Sequence, residues 1–387
     1  MLPILYAILA KLKIPQNHRF LLLSFLLLSP IYLFWSRAFL IESLGLILSL
    51  LYFFFAMKMR EENYKLLFIL LAVFVGTLAA IVKITTFVLI IIPLICYFIY
   101  SFPKKARFLH LYQKAIILLV IIAIPLLINL IWVSYADSLK ELNPIANGLL
   151  TSEDMSEWNY GTLSQKLSWS TWDGIFLHIK RSLIGIPQLL LIPLLSIFIK
   201  HRYRAFALIS FITFLLGPII FTNLYFVHDY YYYANTIYLL LALGFTILGI
   251  LTKPFMYILA TIFFLILFLK TYKNTYYQYQ VYPNYELVEI GNAIQNNTNE
   301  EDIILIYGHS WSPEIPYYAQ RKAITDMWGL TLQNSKISQS INLAGKENIK
   351  AMFIVYYPES FIKERVAYFN FKNDPVFVNS RGLLYIK

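Results

Sequence analysis

The sequence predicts an α-helical multispanning membrane protein with a small extracytoplasmic α/β domain at its C-terminal end. Of 387 residues, 59% are hydrophobic, 17% are aromatic and only 14% are charged. Soluble domains carry about 45–50% apolar and about 25% charged residues. The composition therefore excludes an ordinary soluble enzyme, a disordered chain and a nucleic-acid-binding surface, because the last two need a far more polar chain.

Apolar runs long enough to cross a bilayer need about 20 residues. About nine full spans fit this requirement within a transmembrane domain over residues 1–272. They are residues 20–36, 39–57, 66–82, 84–102, 115–134, 182–199, 205–222, 235–251 and 254–271. A tenth segment, Met1 to Leu12, is apolar but only about half a span long, and it lacks the features of a signal peptide. We interpret it as the second part of a helix whose beginning lies upstream.

The distribution of Lys and Arg predicts the orientation. The whole net charge of +11 lies before Lys273, because the remainder carries 11 basic and 11 acidic residues. When alternate loops are assigned to two sides, one side holds 14 cations against only Glu61 and Glu62. Cytoplasmic loops carry the excess of positive charge. We therefore expect a multi-pass protein of the cytoplasmic (inner) membrane with its C-terminal domain on the outer side.

Arg37 and Lys83 depart from this pattern, because both lie in predicted outer turns. Either cation could snorkel to the lipid headgroups, and Arg37 could pair with a nearby acid such as Glu42. A cation held at the outer interface also suits an anionic lipid head or a pyrophosphate. Both residues are candidates for binding a lipid phosphate.

A predicted outer loop over residues 135–181 is too long to be a simple connector. It contains Trp158, Trp169 and Trp172 among several acids, and its last part has the apolar spacing of an interfacial helix. The tryptophans fit an aromatic belt. They also fit a lid whose ring faces stack on sugars.

His228, Asp229, Tyr230 and Tyr231 form a second outer turn, between two predicted spans. Interfacial tyrosines are common in membrane proteins. A charged group beside the membrane needs a partner or a task, and Lys83 or Arg37 could be the partner of Asp229. We therefore predict that these four residues line a substrate site.

Several motif classes are missing from the sequence. It has no phosphate-binding glycine loop, no H-E-x-x-H, no C-x-x-C and no D-x-D, so no metal-binding residues are predicted. No repeat of broken spans points to a secondary transporter. The single Cys96 lies in an apolar span and is interpreted as a packing residue.

The segment 273–387 has the alternating pattern of a small α/β domain. A helix is predicted over residues 285–297, with strands at Ile303–Tyr307 and Ala351–Tyr356 and a hairpin close to the C-terminal end. The loop Gly308–Pro313 follows the first strand, at the sheet edge where ligands of open α/β sheets bind. Docking onto the membrane domain is the alternative task for this loop.

Several segments together resemble one family. They are Ser29-Pro30 with Ser36-Arg37 and Ile41-Glu42, the hairpin from Gly76 to Lys83-Ile84-Thr85, His228-Asp229-Tyr230-Tyr231, and Tyr317 to Lys322. The chain resembles the polytopic glycosyltransferases of the GT-C superfamily that use polyprenyl-phosphate sugars. That superfamily includes protein mannosyltransferases and aminoarabinose-lipid A transferases.

The resemblance implies an inverting sugar transfer to an envelope glycan, lipid or protein on the outer side of the membrane. An acceptor hydroxyl attacks the anomeric carbon, a carboxylate acts as base, and cations or a divalent metal stabilise the leaving polyprenyl phosphate. Lys83 would lie near the lipid phosphate, and His228, Asp229 and Tyr230 would line the cavity.

The chain also departs from the family. The family's acidic catalytic residue lies in a first outer loop, and this chain is expected to begin after that loop. No residue is therefore assigned as the base. The explanations are an N-terminal truncation, a misplaced start site, or an acid from the 135–181 loop that takes the place of the base. The alternatives are a non-catalytic membrane protein that binds glycans or polyprenyl lipids, and a transporter or flippase.

Overall fold

The structure is a computed structural model that describes residues 1–38, 40–101, 108–144, 146–199, 202–281, 284–309, 312–326 and 335–387. The chain divides into two compact units. The first contains Met1–Ala136 and Ser152–Gln280, and the second contains Asp137–Thr151 and Val281–Lys387. The first unit thus extends beyond the predicted boundary at residue 272, because its last long helix continues to Thr275 and Tyr276 packs on Phe34.

Helices build the whole first unit. In chain order they are α1 (Leu2–Lys11), α2 (Gln16–Leu28), α3 (Pro30–Trp35), α4 (Ile41–Glu61), α5 (Leu66–Val82), α6 (Ile84–Ser101), α7 (Phe108–Lys140, which continues past the unit's boundary), α8 (Ser156–Tyr160), α9 (Leu163–Leu167), α10 (Trp169–Ser182), α11 (Ile186–Ser196), α12 (Tyr203–Ile220), α13 (Thr222–Val227), α14 (Tyr231–Ile250), α15 (Pro254–Thr275) and α16 (Tyr277–Val281, whose last residue lies past the boundary).

Several of these helices are long and apolar enough to cross a membrane. Within the described residues there are five, and six if the bent pair α10–α11 is one span. Three shorter apolar helices, Leu2–Lys11, Leu66–Val82 and Ile84–Tyr100, accompany them. The chain is therefore predominantly helical with five or six candidate membrane spans in its described part, whereas its placement in a membrane and the number of nine full spans stay predictions.

Two predicted spans are broken in the structure. The span expected at residues 20–36 is interrupted at Ser29, which is extended because the following Pro30 disfavours a helical residue before it. The span expected at 182–199 is only the second arm of a pair, since α10 and α11 meet at an angle of 94°. Residues 182–185 at the second break, and Phe34 and Trp35 of the helix that follows the first, line the cavity described below.

Hydrogen bonds from polar side chains connect neighbouring apolar helices. Tyr52 Oη donates to the carbonyl of Ile121 at 3.1 Å, and Asn129 Nδ2 donates to the carbonyl of Ala80 at 3.0 Å. Such bonds have few competitors in a water-poor environment, so each buried polar group fixes the register of one helix against its neighbour.

The second unit contains a five-stranded mixed sheet. Its strands are β1 (Ile303–Tyr307), β2 (Lys322–Asp326), β3 (Ile349–Ile354), β4 (Phe377–Asn379) and β5 (Gly382–Ile386), in the order β2-β1-β3-β5-β4. Strand β1 runs parallel to β2 and β3, whereas β5 is antiparallel to β3 and β4. The helices are α17 (Tyr285–Asn297), α18 (Glu314–Ala319), α19 (Ser335–Ala344) and α20 (Glu359–Phe369), with a short 3₁₀ turn at Lys346–Asn348.

The predicted helix over 285–297, the strand Ile303–Tyr307 and the C-terminal hairpin are all present. The second strand ends at Ile354 rather than Tyr356, and strand β2 was not predicted. Ser310 and Trp311 of the predicted loop lie outside the described residues.

Arg321, in the family-like segment Tyr317–Lys322, has a structural task in this unit. Its guanidinium donates to the carbonyls of Thr298 and Gln295, at 2.7 and 3.3 Å, and to Thr298 Oγ1 at 3.0 Å. These bonds satisfy carbonyl groups at the C-terminal end of α17, where a cation is favourable.

Candidate functional site

The turn between α13 and α14 presents the predicted residues His228, Asp229, Tyr230 and Tyr231. His228 is extended and ends α13, and Tyr231 begins α14. The amide of Tyr232 donates to the carbonyl of Asp229 at 3.0 Å, which fixes the turn from which α14 starts. The turn forms here because the polar residues His228 and Asp229 separate two apolar helices.

An aromatic cluster surrounds His228. Its ring stacks on Tyr230 with 4.9 Å between centroids, and Trp158 lies at 6.1 Å. Tyr230 in turn lies 4.6 Å from Tyr231 and 5.9 Å from Trp35. Burial lowers the pKa of His228, so its imidazole is neutral at neutral pH.

Asp229 is held by a tyrosine from the end of α15. Tyr276 Oη donates to Asp229 Oδ2 at 3.0 Å, and the Tyr276 ring stacks on Phe34 with 4.6 Å between centroids. Among the described residues, neither Arg37 nor Lys83 lies in an ion pair with Asp229. The partner of this carboxylate is thus a neutral hydroxyl rather than either of the two cations considered from the sequence.

Lys83 lies in the turn between α5 and α6, and its ion-pair partner is Glu42. Lys83 Nζ lies 2.8 Å from Glu42 Oε1, and their side chains are only 14% and 3% exposed. The same ammonium lies 4.7 Å from the ring centroid of Tyr231. A Cβ at Gly45 would lie 2.8 Å from Lys83 Cβ, so this glycine permits α4 to approach the turn that bears Lys83 closely.

Arg37 is exposed in the turn after α3, where its amide donates to the carbonyl of Phe34 at 3.3 Å. The alternative pairing of Arg37 with Glu42 is not formed among the described residues, where Glu42 pairs with Lys83. The role of Arg37 in binding a lipid phosphate stays a prediction, as does that of Lys83.

Asp229 lines a cavity of about 950 Å³ within the first unit, which we call the Asp229 cavity. The cavity is lined by Phe34, Trp35, His178, Lys180, Arg181, Ser182, Leu183, Ile184, Gly185, Gln188, Asp229, Leu267, Phe268, Lys270, Thr271, Asn274, Thr275, Tyr276 and Tyr279. Its walls come from α3, from the bend between α10 and α11, from the 228–231 turn, and from α15 and the residues after it.

The charges of this cavity are uneven. Lys180, Arg181 and Lys270 lie in its wall, whereas Asp229 is the sole carboxylate there among the residues that the structure describes. None of the three cations lies within 4 Å of a carboxylate oxygen in that part of the chain. The cavity therefore has a positive potential, with one negative group held at a fixed position.

A buried acceptor adds to this polarity. Gln188 lines the cavity, and its Oε1 is buried without a hydrogen-bond partner among the described atoms. A buried acceptor of this kind costs free energy unless a ligand or water supplies a donor.

The part of the predicted lid loop from Ser152 onwards, which belongs to the first unit, packs against α12 and α13. Gln165 Nε2 donates to Asn223 Oδ1 at 2.7 Å, and Trp172 Nε1 donates to the carbonyl of Lys166 at 2.8 Å. The predicted amphipathic helix is α10, with Ile175 and Ile179 buried. No group of three or more His, Cys, Asp and Glu side chains suited to a metal ion occurs in the described ranges.

The sequence indicated Asp229 but not Lys180, Arg181, Lys270 or Tyr276. A signal for the three cations existed, because all of them lie at the predicted outer ends of apolar segments, like Arg37 and Lys83. Tyr276 had no signal of this kind in the sequence, because its hydroxyl donates to a carboxylate 47 positions away in the chain.

Comparison with known protein families and with curated proteins found no match for this chain.

Proposed function

We propose that this chain is a membrane glycosyltransferase that moves a sugar from a polyprenyl-phosphate donor to an envelope glycan, lipid or protein on the outer side of the cytoplasmic membrane. One observation carries the proposal. A single cavity combines three cations, one fixed carboxylate and aromatic faces. These are the groups that a phosphate-linked sugar requires.

Lys180, Arg181 and Lys270 would bind the donor phosphate. Two of them end helix α10, and the third lies on α15 across the cavity. Cations placed around a phosphate bind it strongly, because charge-assisted hydrogen bonds are about twice as strong as neutral ones. As the bond to the sugar breaks, the same cations stabilise the charge that develops on the leaving phosphate.

Apolar and aromatic groups of the wall would bind the rest of the donor. Leu183, Ile184, Leu267 and Phe268 give the lipid tail an apolar surface beside the cations. Trp35 presents a ring to a sugar.

Asp229 is our candidate for the base. The acceptor hydroxyl gives its proton to Asp229 as its oxygen attacks the anomeric carbon, and the bond from that carbon to the phosphate oxygen breaks. The electron pair leaves with the polyprenyl phosphate, so one displacement inverts the anomeric centre. Tyr276 donates to one oxygen of Asp229, which orients the other for proton transfer.

Lys83 and Tyr231 would act through position rather than contact with the donor. The ammonium of the Lys83–Glu42 pair lies over the Tyr231 ring, and Tyr231 packs against Tyr230 and His228. The buried ion pair thereby helps to position the turn that bears Asp229.

The experiment is turnover by the full chain in proteoliposomes supplied with a panel of polyprenyl-phosphate hexoses and pentoses and a mixture of envelope acceptors. We expect Asp229→Asn to lower transfer by about 10²-fold or more, the typical contribution of a general base. Asp173→Asn is the matched control, because Asp173 is an exposed acid of α10 that does not line the cavity. Equal turnover by the unaltered chain, Asp229→Asn and Asp173→Asn would contradict the proposal.

A non-catalytic polyprenyl-lipid-binding protein is the second candidate. The presence of only one carboxylate in the described cavity wall favours it, because binding needs the cations but not a base. Donor binding without turnover in the same proteoliposomes would select this function. Movement of the donor between leaflets without sugar transfer would select a flippase.

A further inference from the structure

A second cavity lies in the first unit, towards the opposite end of α14 from the 228–231 turn. It has a volume of about 530 Å³ and lies among α1, α4, α6, α12 and α14. We call it the Arg60 cavity. It shares no lining residue with the Asp229 cavity, so the sugar transfer proposed above does not use it.

The body of the Arg60 cavity is apolar. Leu9, Leu50, Ile90, Phe206 and Leu241 lie in its wall with other aliphatic and aromatic side chains. A pocket of several hundred Å³ with such walls suits an acyl chain, since each buried methylene contributes about 0.8 kcal/mol.

Basic side chains complete the cavity. Lys11, Lys13, Arg60 and Arg202 line it, and no carboxylate does so among the described residues, although Lys11 pairs with Glu61 outside the lining. Arg60 Nη1 donates to the neutral hydroxyl of Tyr97 at 3.1 Å, and Arg202 Nη2 donates to the carbonyl of Lys13 at 2.7 Å. These bonds orient the guanidinium groups without cancelling their charge.

We propose that the Arg60 cavity binds an anionic phospholipid from the leaflet that faces the basic loops. The acyl chain would occupy the apolar body, and the phosphate would contact Arg60 and Arg202. Charge complementarity selects this occupant, because basic pockets between transmembrane helices bind anionic headgroups. A zwitterionic lipid offers the same chain but no net charge.

Native mass spectrometry of the detergent-solubilised full chain tests the proposal, with phosphatidylglycerol, phosphatidylcholine and inorganic phosphate as separate probes. We expect phosphatidylglycerol to bind and to raise the unfolding temperature, and the other two to do neither. Arg60→Gln and Arg202→Gln should each weaken its binding about fivefold, since one cation near an anionic lipid contributes about 1 kcal/mol. Lys65→Gln is the control, because Lys65 is an exposed cation that pairs with Glu62 and does not line the cavity.

A filling variant separates a cavity site from general attraction to basic loops. Ala205→Trp keeps every cation but occupies the cavity, and it should abolish retention of phosphatidylglycerol. If a variant fails to fold, the lipid-dependent unfolding temperature of the unaltered chain still decides the question. Equal binding of phosphatidylcholine, competition by inorganic phosphate alone, or full retention in Ala205→Trp would each overturn the proposal.

Discussion

The two cavities of the helical unit use positive charge differently. The Asp229 cavity has three cations, a carboxylate fixed by Tyr276 and a volume of about 950 Å³. The Arg60 cavity has a volume of about 530 Å³, a mostly apolar wall, no lining carboxylate in the described residues and four cations, of which Lys11 pairs with Glu61 outside the lining. Cations alone suit binding, whereas cations opposite a carboxylate suit a reaction in which charge and a proton move.

Lys83 completes the comparison as a cation of a third kind. It lies near the 228–231 turn, where a buried carboxylate balances its charge, so we expect its removal to destabilise the protein, while its role in binding a lipid phosphate stays a prediction. The positive charge of a side chain therefore does not by itself show what that residue does. What distinguishes the three kinds of cation is where their nearest carboxylates lie.

The largest effect is expected where a balanced pair is broken. Lys83→Met leaves Glu42 buried without its cation and should destabilise the protein by about 3–5 kcal/mol. Thermal unfolding in detergent micelles measures this loss. Lys65→Met is the control, because its ion pair with Glu62 is exposed and should contribute at most about 1 kcal/mol.

The double variant Lys83→Met/Glu42→Gln sharpens this test. It removes both charges, so it should recover much of the stability that the single variant loses. A similar loss in Lys83→Met and Lys65→Met would show that the buried pair has no special role.

The next effect concerns the carboxylate that distinguishes the Asp229 cavity. Tyr276→Phe removes one hydrogen bond to a charged group and keeps the ring that stacks on Phe34. Such bonds contribute about 1.5–3 kcal/mol, so turnover should fall by about tenfold or more. Initial rates at saturating donor check this, and an unchanged rate would mean that the hydroxyl does not orient Asp229.

A smaller effect is expected from one cation of the Asp229 cavity. Lys270→Gln should weaken donor binding by roughly fivefold and also lower turnover at saturation, by less than Tyr276→Phe does, because the two other cations remain to bind the phosphate and to stabilise its developing charge. A donor titration in proteoliposomes measures this. Arg202→Gln, in the Arg60 cavity, should leave the donor affinity unchanged, and equal effects of both variants would remove the distinction between the cavities.

The smallest effect is on the pH dependence of stability. Burial lowers the pKa of His228 in the folded protein, so the unfolded chain binds the proton more readily. Stability should therefore fall as the pH drops below about 6.5, the ordinary histidine pKa. His228→Phe should lose less stability over that range in thermal unfolding at pH 7.5 and 5.5, and parallel losses would contradict the assignment.

The sequence predicted the positions of the apolar helices well, because long uninterrupted apolar runs leave little choice of structure in a bilayer. It did not predict the bend between α10 and α11. The predicted span at 182–199 treated Gly185 as part of one helix, whereas Gly185 is the N-cap of α11. Local sequence does not decide such a bend, since packing against α15 and the 228–231 turn also contributes.

The candidate site was predicted only in part. His228 and Asp229 were recognisable because charge beside the membrane is costly. Lys270 was recognisable at the outer end of an apolar segment, but its direction depends on which side of α15 faces the cavity. A helix that is apolar all round does not encode that side in its own sequence.

The most direct test of the account is the location of the bound donor. A polyprenyl-phosphate sugar with a photoreactive group on its sugar would be cross-linked to the full chain in proteoliposomes, and the labelled peptides identified by mass spectrometry. We predict labels at Trp35, at residues 178–188 and at residues 270–279, which line the Asp229 cavity. Labels confined to residues 5–13 and 202–210, which line the Arg60 cavity, would contradict the account.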